Sequence, residues 1–139
     1  MNYHIVTSQN FKKVPLPGLN AWLDALRSGN YTQTKDYLAT ANNGQWSYCC
    51  LGVLCDVEER PSTLTMENSH LCFDRHVAGL THHIRQFPVL GESGQLPDGC
   101  YVFCDKTTRQ LKLLTELNDL GFSFSEIADI IEELFTEEK

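Results

Sequence analysis

The last third of the chain restricts the fold more than any other segment. Ile127, Ile130, Ile131, Leu134 and Phe135 recur at helical spacing and make one apolar stripe. Ser123 followed by Glu126 is a capping-box pattern at the start of that stripe, and Phe122 with Ile127 can form a hydrophobic staple. Upstream, Leu113, Leu114, Leu117 and Leu120 predict a second helix, which Gly121 ends and which the Thr107–Gln110 capping-box pattern opens. Two amphipathic helices joined by a glycine turn cannot stand alone. They need an apolar surface to cover.

The chain supplies one. Hydrophobic residues make up 42% of its 139 residues, enough for a real core and too many for a disordered chain. Leu19, Trp22, Leu23 and Leu26 predict a helix that follows Pro17-Gly18, with Asn20 placed to cap it and Gly29 to stop it. Residues 49–57, CCLGVLCDV, are almost wholly apolar; they read as a short buried helix, with a core strand as the competitor. Asn43-Gly44, between 37–39 and 46–48, suits a hairpin turn or a simple loop. Prolines and glycines punctuate 60–100, with strands expected at 70–74 and 100–105 and a short helix over Val77 to Arg85. The expected architecture is a single α+β domain over 1–139, helix-rich, with a small antiparallel sheet built from the middle segment. The C-terminal helical hairpin and the Trp22 helix should pack together over 49–57. No apolar run approaches the roughly 18–20 residues of a membrane span, and the opening MNYHIVTSQNF has neither the basic nor the apolar region of a secretory signal.

Eleven Lys/Arg against eighteen Asp/Glu give a net charge of −7. Nucleic-acid affinity rests on neutralising phosphates, so an acidic chain is a poor non-specific binder of DNA or RNA. The helix after Ser125 presents Glu126, Asp129, Glu132 and Glu133, which argues against a DNA-reading helix-turn-helix. That acidic stretch is either a solvated face or a docking surface for a basic protein. Four of the five histidines (His70, His76, His82, His83) and Arg75, Arg85 and Arg109 fall between 70 and 112.

Six cysteines stand at 49, 50, 55, 72, 100 and 104. Without a secretion signal, reduced structural thiols are preferred to disulfides. Cys50-x4-Cys55 and Cys100-x3-Cys104 are not standard zinc knuckles. A zinc site would need Cys72, Cys100, Cys104 and one of His70, His82 or His83 to converge. No P-loop, dinucleotide-binding glycine pattern, metalloprotease HExxH or nucleophile elbow is present, and no cofactor is expected. His82-His83 beside Arg85 is the best local candidate for polar chemistry, against the plainer reading of a solvated loop. Arg75, His76, His82, His83, Arg85 and Arg109 could hold a phosphate. Tyr31, Trp46 and Tyr48 could stack on a base or belong to the core.

Residues 22–33 (WLDALRSGNYTQ), 48–57 (YCCLGVLCDV) and 114–131 (LTELNDLGFSFSEIADII) resemble a family of small uncharacterised proteins of tailed-phage and prophage genomes. The resemblance implies a phage-borne accessory protein acting in the cytoplasm of the infected host, a setting in which such proteins counter host defences. The polar positions inside these motifs, Arg27, Tyr31, Gln33, Tyr48, Asn118 and Asp119, are either ligand contacts or capping and turn bonds. The reading that follows is a non-enzymatic protein that sequesters a small anionic, nucleotide-like ligand through these six residues together with Arg75, His82, His83, Arg85 and Arg109. A homo-oligomer would help 139 residues enclose it. The competing readings are an inhibitor that docks on a host defence protein through the acidic C-terminal helix, and a Cys/His enzyme.

Overall fold

The computed structural model describes residues 1–35, 37, 39–42, 44–58, 62–65, 70–73, 89–90 and 93–138, with the backbone alone at 41–42, 62–65 and 70–73. In chain order the elements are β1 (Tyr3–Val6), β2 (Val14–Leu16), α1 (Leu19–Arg27), β3 (Thr32–Gln33), β4 (Ala39–Asn42), β5 (Gln45–Tyr48) and α2 (Cys50–Val57). They continue as β6 (Ser62–Thr65), β7 (His70–Phe73), β8 (Tyr101–Cys104), β9 (Thr107–Leu111), α3 (Leu114–Leu120), α4 (Phe124–Leu134) and β10 (Phe135–Glu137). The fold is a small α+β domain with a C-terminal helical hairpin.

The core forms where the expected helices meet. α1 lies against both α4 and α2, and α3 packs on α2. Trp22, Leu51, Ile127, Ile130, Ile131 and Leu134 are fully buried there. The α4 capping box is complete: the Glu126 backbone N–H donates to Ser123 Oγ (3.1 Å), and the Ser123 N–H donates to Glu126 Oε1 (2.9 Å). Gly121 ends α3 at φ 105°, in the left-handed region that glycine enters without a side-chain clash.

The largest sheet has the order β3-β5-β4-β7-β6. Its β4–β5 hairpin pairs Asn42 with Gln45, so of the hairpin and loop readings it is the hairpin that forms, with Asn43 itself outside the described residues. Two further sheets draw mostly on segments with no strand expectation, β8 alone falling within the strand expected at 100–105. β1 pairs antiparallel with β8, which pairs in turn with β9, and β10 runs parallel to β2. Strands of three or four residues carry little periodic signal, and these are stabilised by partners about a hundred residues away.

Two local expectations are corrected. Residues 107–111 are strand β9, and α3 begins only at Leu114. Thr107 Oγ1 accepts the Arg109 N–H (3.2 Å) and does not cap a helix. Backbone carbonyls take the capping role instead: Gly94 O accepts the Leu114 N–H (2.8 Å) and Ser93 O the Thr115 N–H (3.3 Å). A Cβ at Gly94 would sit 2.8 Å from the Leu114 Cβ, so only glycine admits this approach. Asn20, likewise, does not cap α1. The Glu137 carboxylate does, accepting the Gly18 N–H (3.0 Å) and the Asn20 N–H (2.8 Å) from the far end of the chain. The β2–β10 register, which sets Glu137 opposite Leu16, brings it there.

Candidate functional site

The polar residues of the sequence motifs do converge, but largely on one another. Asn118 is fully buried on α3. Its Oδ1 accepts from Gln33 Nε2 (2.8 Å) and from the Cys50 backbone N–H (3.2 Å), while Nδ2 donates to Thr34 O (2.7 Å) and to Asp119 Oδ1 (3.4 Å). Every bonding position of the amide is therefore filled. Gln33 Nε2 donates a second bond to Phe122 O (2.8 Å). One side chain thus joins β3, the open N-terminus of α2 and the α3–α4 turn.

Nearby, the Tyr31 hydroxyl donates to Asp56 Oδ2 (2.5 Å), and its ring meets Tyr48 edge to face at 5.2 Å. Burial raises the Tyr31 hydroxyl pKa well above its ordinary range, and the Asp56 carboxylate raises it further. Trp46 stands 37% exposed and outside this pair. Arg27 donates to Asp129 Oδ1 (2.7 Å) and Glu132 Oε1 (3.0 Å), clasping α1 to α4. Such a solvent-facing pair contributes on the order of 1 kcal/mol or less. Arg109 is exposed on β9 and pairs with Glu116 (2.7 Å). Arg75, His82, His83 and Arg85, and the helix expected over Val77–Arg85, lie outside the described residues, as do the side chains of His70 and Cys72.

Cys49, Cys50, Cys55, Cys100 and Cys104 are buried and without disulfides. Burial pushes the Cys49 thiol up to about 11 and Cys50 also upward, the reverse of what a nucleophile needs. Among the described residues no three His, Cys, Asp or Glu side chains could hold a metal ion. The same burial has a pH consequence. Unfolded thiols and phenols lose protons near about 8.5 and 10, whereas folded Cys49, Cys50, Tyr3, Tyr31 and Tyr48 hold theirs to higher pH. Stability contributed by these groups is full below about pH 8.5 and declines as pH rises through the folded values. Urea midpoints measured at pH 7, 9 and 10.5 should fall progressively; a constant midpoint would contradict the protonated burial of these groups.

A concavity among the described residues lies elsewhere. A groove of about 500 Å³ runs between the N-terminal segment, with Ser8, Asn10, Phe11, Lys12 and Val14, and a wall of Val89, Gln95, Leu96, Pro97 and Asp98. Phe135 also lines it. Its size falls within the range of small-molecule sites. Val89 stands at φ 74°, a region that β-branched residues rarely enter, and is 54% exposed at the groove. The Lys12 ammonium forms no hydrogen bond or ion pair among the described residues. No described residue of the sequence-derived site lines the groove. Its residues carry no motif, so a pattern search had no signal with which to find them. Lys12 beside Phe11 was the only hint, and such pairs are common on surfaces.

A family model described as a domain of unknown function (DUF8296) matches residues 19–135. No curated protein and no solved structure matches the chain. Among the described residues, no helix is long and apolar enough to cross a membrane.

Proposed function

Since the chain belongs to the DUF8296 family, whose description assigns no activity, we propose a function from its own geometry. It is a non-catalytic binding protein that takes a small anionic, nucleotide-like ligand in the groove beside Lys12. The observation that carries this reading is a lysine with no partner among the described residues, lining a groove of about 500 Å³ in a chain of net charge −7. Elsewhere Arg27 and Arg109 are engaged by carboxylates. Lys12 supplies a point charge for phosphate, and Phe11 gives apolar surface for a base. Sequestration requires affinity and a shaped site, with no activated nucleophile. The resemblance of 22–33, 48–57 and 114–131 to tailed-phage proteins supports a setting in the infected cell's cytoplasm, against a nucleotide signal of host defence.

Docking on a host protein through α4 has fewer free charges behind it. Asp129 and Glu132 are held by Arg27, and Glu126 is engaged at its own helix start. In a native mass spectrum of protein purified from bacterial cells, the expected result is an added mass that is released unaltered on denaturation and is lost in Lys12→Ala. A bare mass, with no thermal shift from a pool of the four nucleoside 5′-monophosphates, would overturn the reading.

A further inference from the structure

A second cavity of about 210 Å³ adjoins the groove. The two share Gln95, Leu96, Pro97 and Asp98, so this segment is a ridge with a concavity on each side. The second cavity is lined also by Tyr101, Gln110 and Lys112. Like Lys12, the Lys112 ammonium has no hydrogen-bond or ion-pair partner among the described residues. Each side of the ridge is therefore lined by one lysine without a bonded partner among the described residues, and the exposed Asp98 lines both cavities as an acceptor.

The ridge is built to keep this shape. The Gln95 N–H donates to Leu90 O (2.7 Å), the Leu96 N–H to Lys112 O (2.8 Å) and the Cys100 N–H to Pro97 O (2.9 Å). Gly99, at φ 79°, lies so close to Ser8 that a Cβ there would come within 2.8 Å of the Ser8 Cβ. A ridge tied at both ends lets a ligand bind without first ordering its site.

Building on the groove assignment above, we infer that the ligand class is a dinucleotide with two separated phosphates. One phosphate lies at Lys12, the other crosses the ridge to Lys112, and Asp98 accepts an N–H or hydroxyl of the nucleoside between them. A mononucleotide reaches only one of the cations. A carboxylate that lines both cavities disfavours a continuous polyphosphate across them and favours charges spaced by a neutral donor.

The test uses the full chain in equilibrium dialysis against two pools. One holds the four 5′-phosphorylated homodinucleotides pNpN, the other the four nucleoside 5′-monophosphates. The expected result is at least tenfold tighter binding of the dinucleotide pool, with Lys112→Ala removing that advantage and leaving mononucleotide affinity unchanged. Lys12→Ala should weaken both. If Lys112→Ala leaves the preference intact, or if the wild type binds both pools equally, the two-cavity inference fails while the groove assignment stands. If neither pool binds, the groove assignment fails and this inference with it. Lys112 uses only its backbone in the fold, its N–H donating to Glu116 Oε1 and its carbonyl accepting from Leu96, so the alanine variant keeps both bonds.

Discussion

Asn118→Leu is expected to lower the free energy of unfolding by about 3–5 kcal/mol, a large part of the roughly 5–15 kcal/mol that holds a domain of this size. Leucine keeps the γ-branched shape without the polar atoms, so most of the loss would come from the partners left behind. The Cys50 N–H at the start of α2 and the Thr34 carbonyl would lose the amide that now satisfies them. Gln33 would keep only its bond to Phe122 O. Each buried polar group left unpaired costs about 1–3 kcal/mol. Gln33→Ala is the milder comparison, at about 1 kcal/mol, because Asn118 then retains three bonds. The measurement is the urea midpoint by circular dichroism at constant m. Were Asn118→Leu within about 1 kcal/mol of wild type, the bracket role would be wrong, because unsatisfied groups of this kind cannot be so inexpensive.

The second large effect concerns Trp22. Its ring is fully buried between α1, α2 and α4, and Nε1 donates to Cys50 O (2.9 Å). Trp22→Ala removes the largest buried side chain and should cost about 3–5 kcal/mol from transfer and cavity terms. Trp22→Phe should cost less, because it keeps much of the ring surface and loses about 0.5–1.5 kcal/mol with the indole bond. Fluorescence provides an independent check. In a Trp46→Phe background the remaining emission should be blue-shifted and resist acrylamide quenching until the chain unfolds. Ready quenching of Trp22 in the folded protein would contradict its placement.

Both positions stand inside the motifs that make the chain recognisable. Arg27, Tyr31, Gln33, Tyr48 and Asn118 looked like candidate ligand contacts because they were polar residues among apolar ones. Asn118 and Gln33 instead close helix ends and turns, Tyr31 bonds Asp56, and Arg27 clasps two helices. The capping alternative named for Asn118 was nearer the structure, although its amide caps α2 across the fold and not its own helix. Spacing along a chain identifies polar residues that sit on a buried face. It cannot say whether the empty bonding positions there belong to a ligand or to another backbone segment.

The helices were legible because each is long enough to repeat its apolar stripe. α1 and α4 lie where the leucine and isoleucine spacings placed them, α2 is the helix of the two readings open for 49–57, and the Ser123–Glu126 box closes within four residues. The β4–β5 hairpin was equally local. By contrast, the Thr107–Gln110 box has the same letters and forms no helix, because pairing with β8 takes those residues first. A capping box adds a bond or two, and a strand partner with several backbone bonds outweighs it.

The sequence by itself determined what local periodicity and turn chemistry can encode: the α+β class, the helical hairpin, the apolar character of 49–57 and the acidic balance. Only the tertiary structure decided how distant segments satisfy one another. Glu137 caps α1, Asn118 caps α2, the Ser93–Gly94 carbonyls cap α3, and the groove opens between residues 8–14 and 89–98. Each of these joins residues at least 20 positions apart, and bonds over such separations leave no period in the chain. They follow instead from the need to pair every buried N–H and C=O once the apolar faces have met.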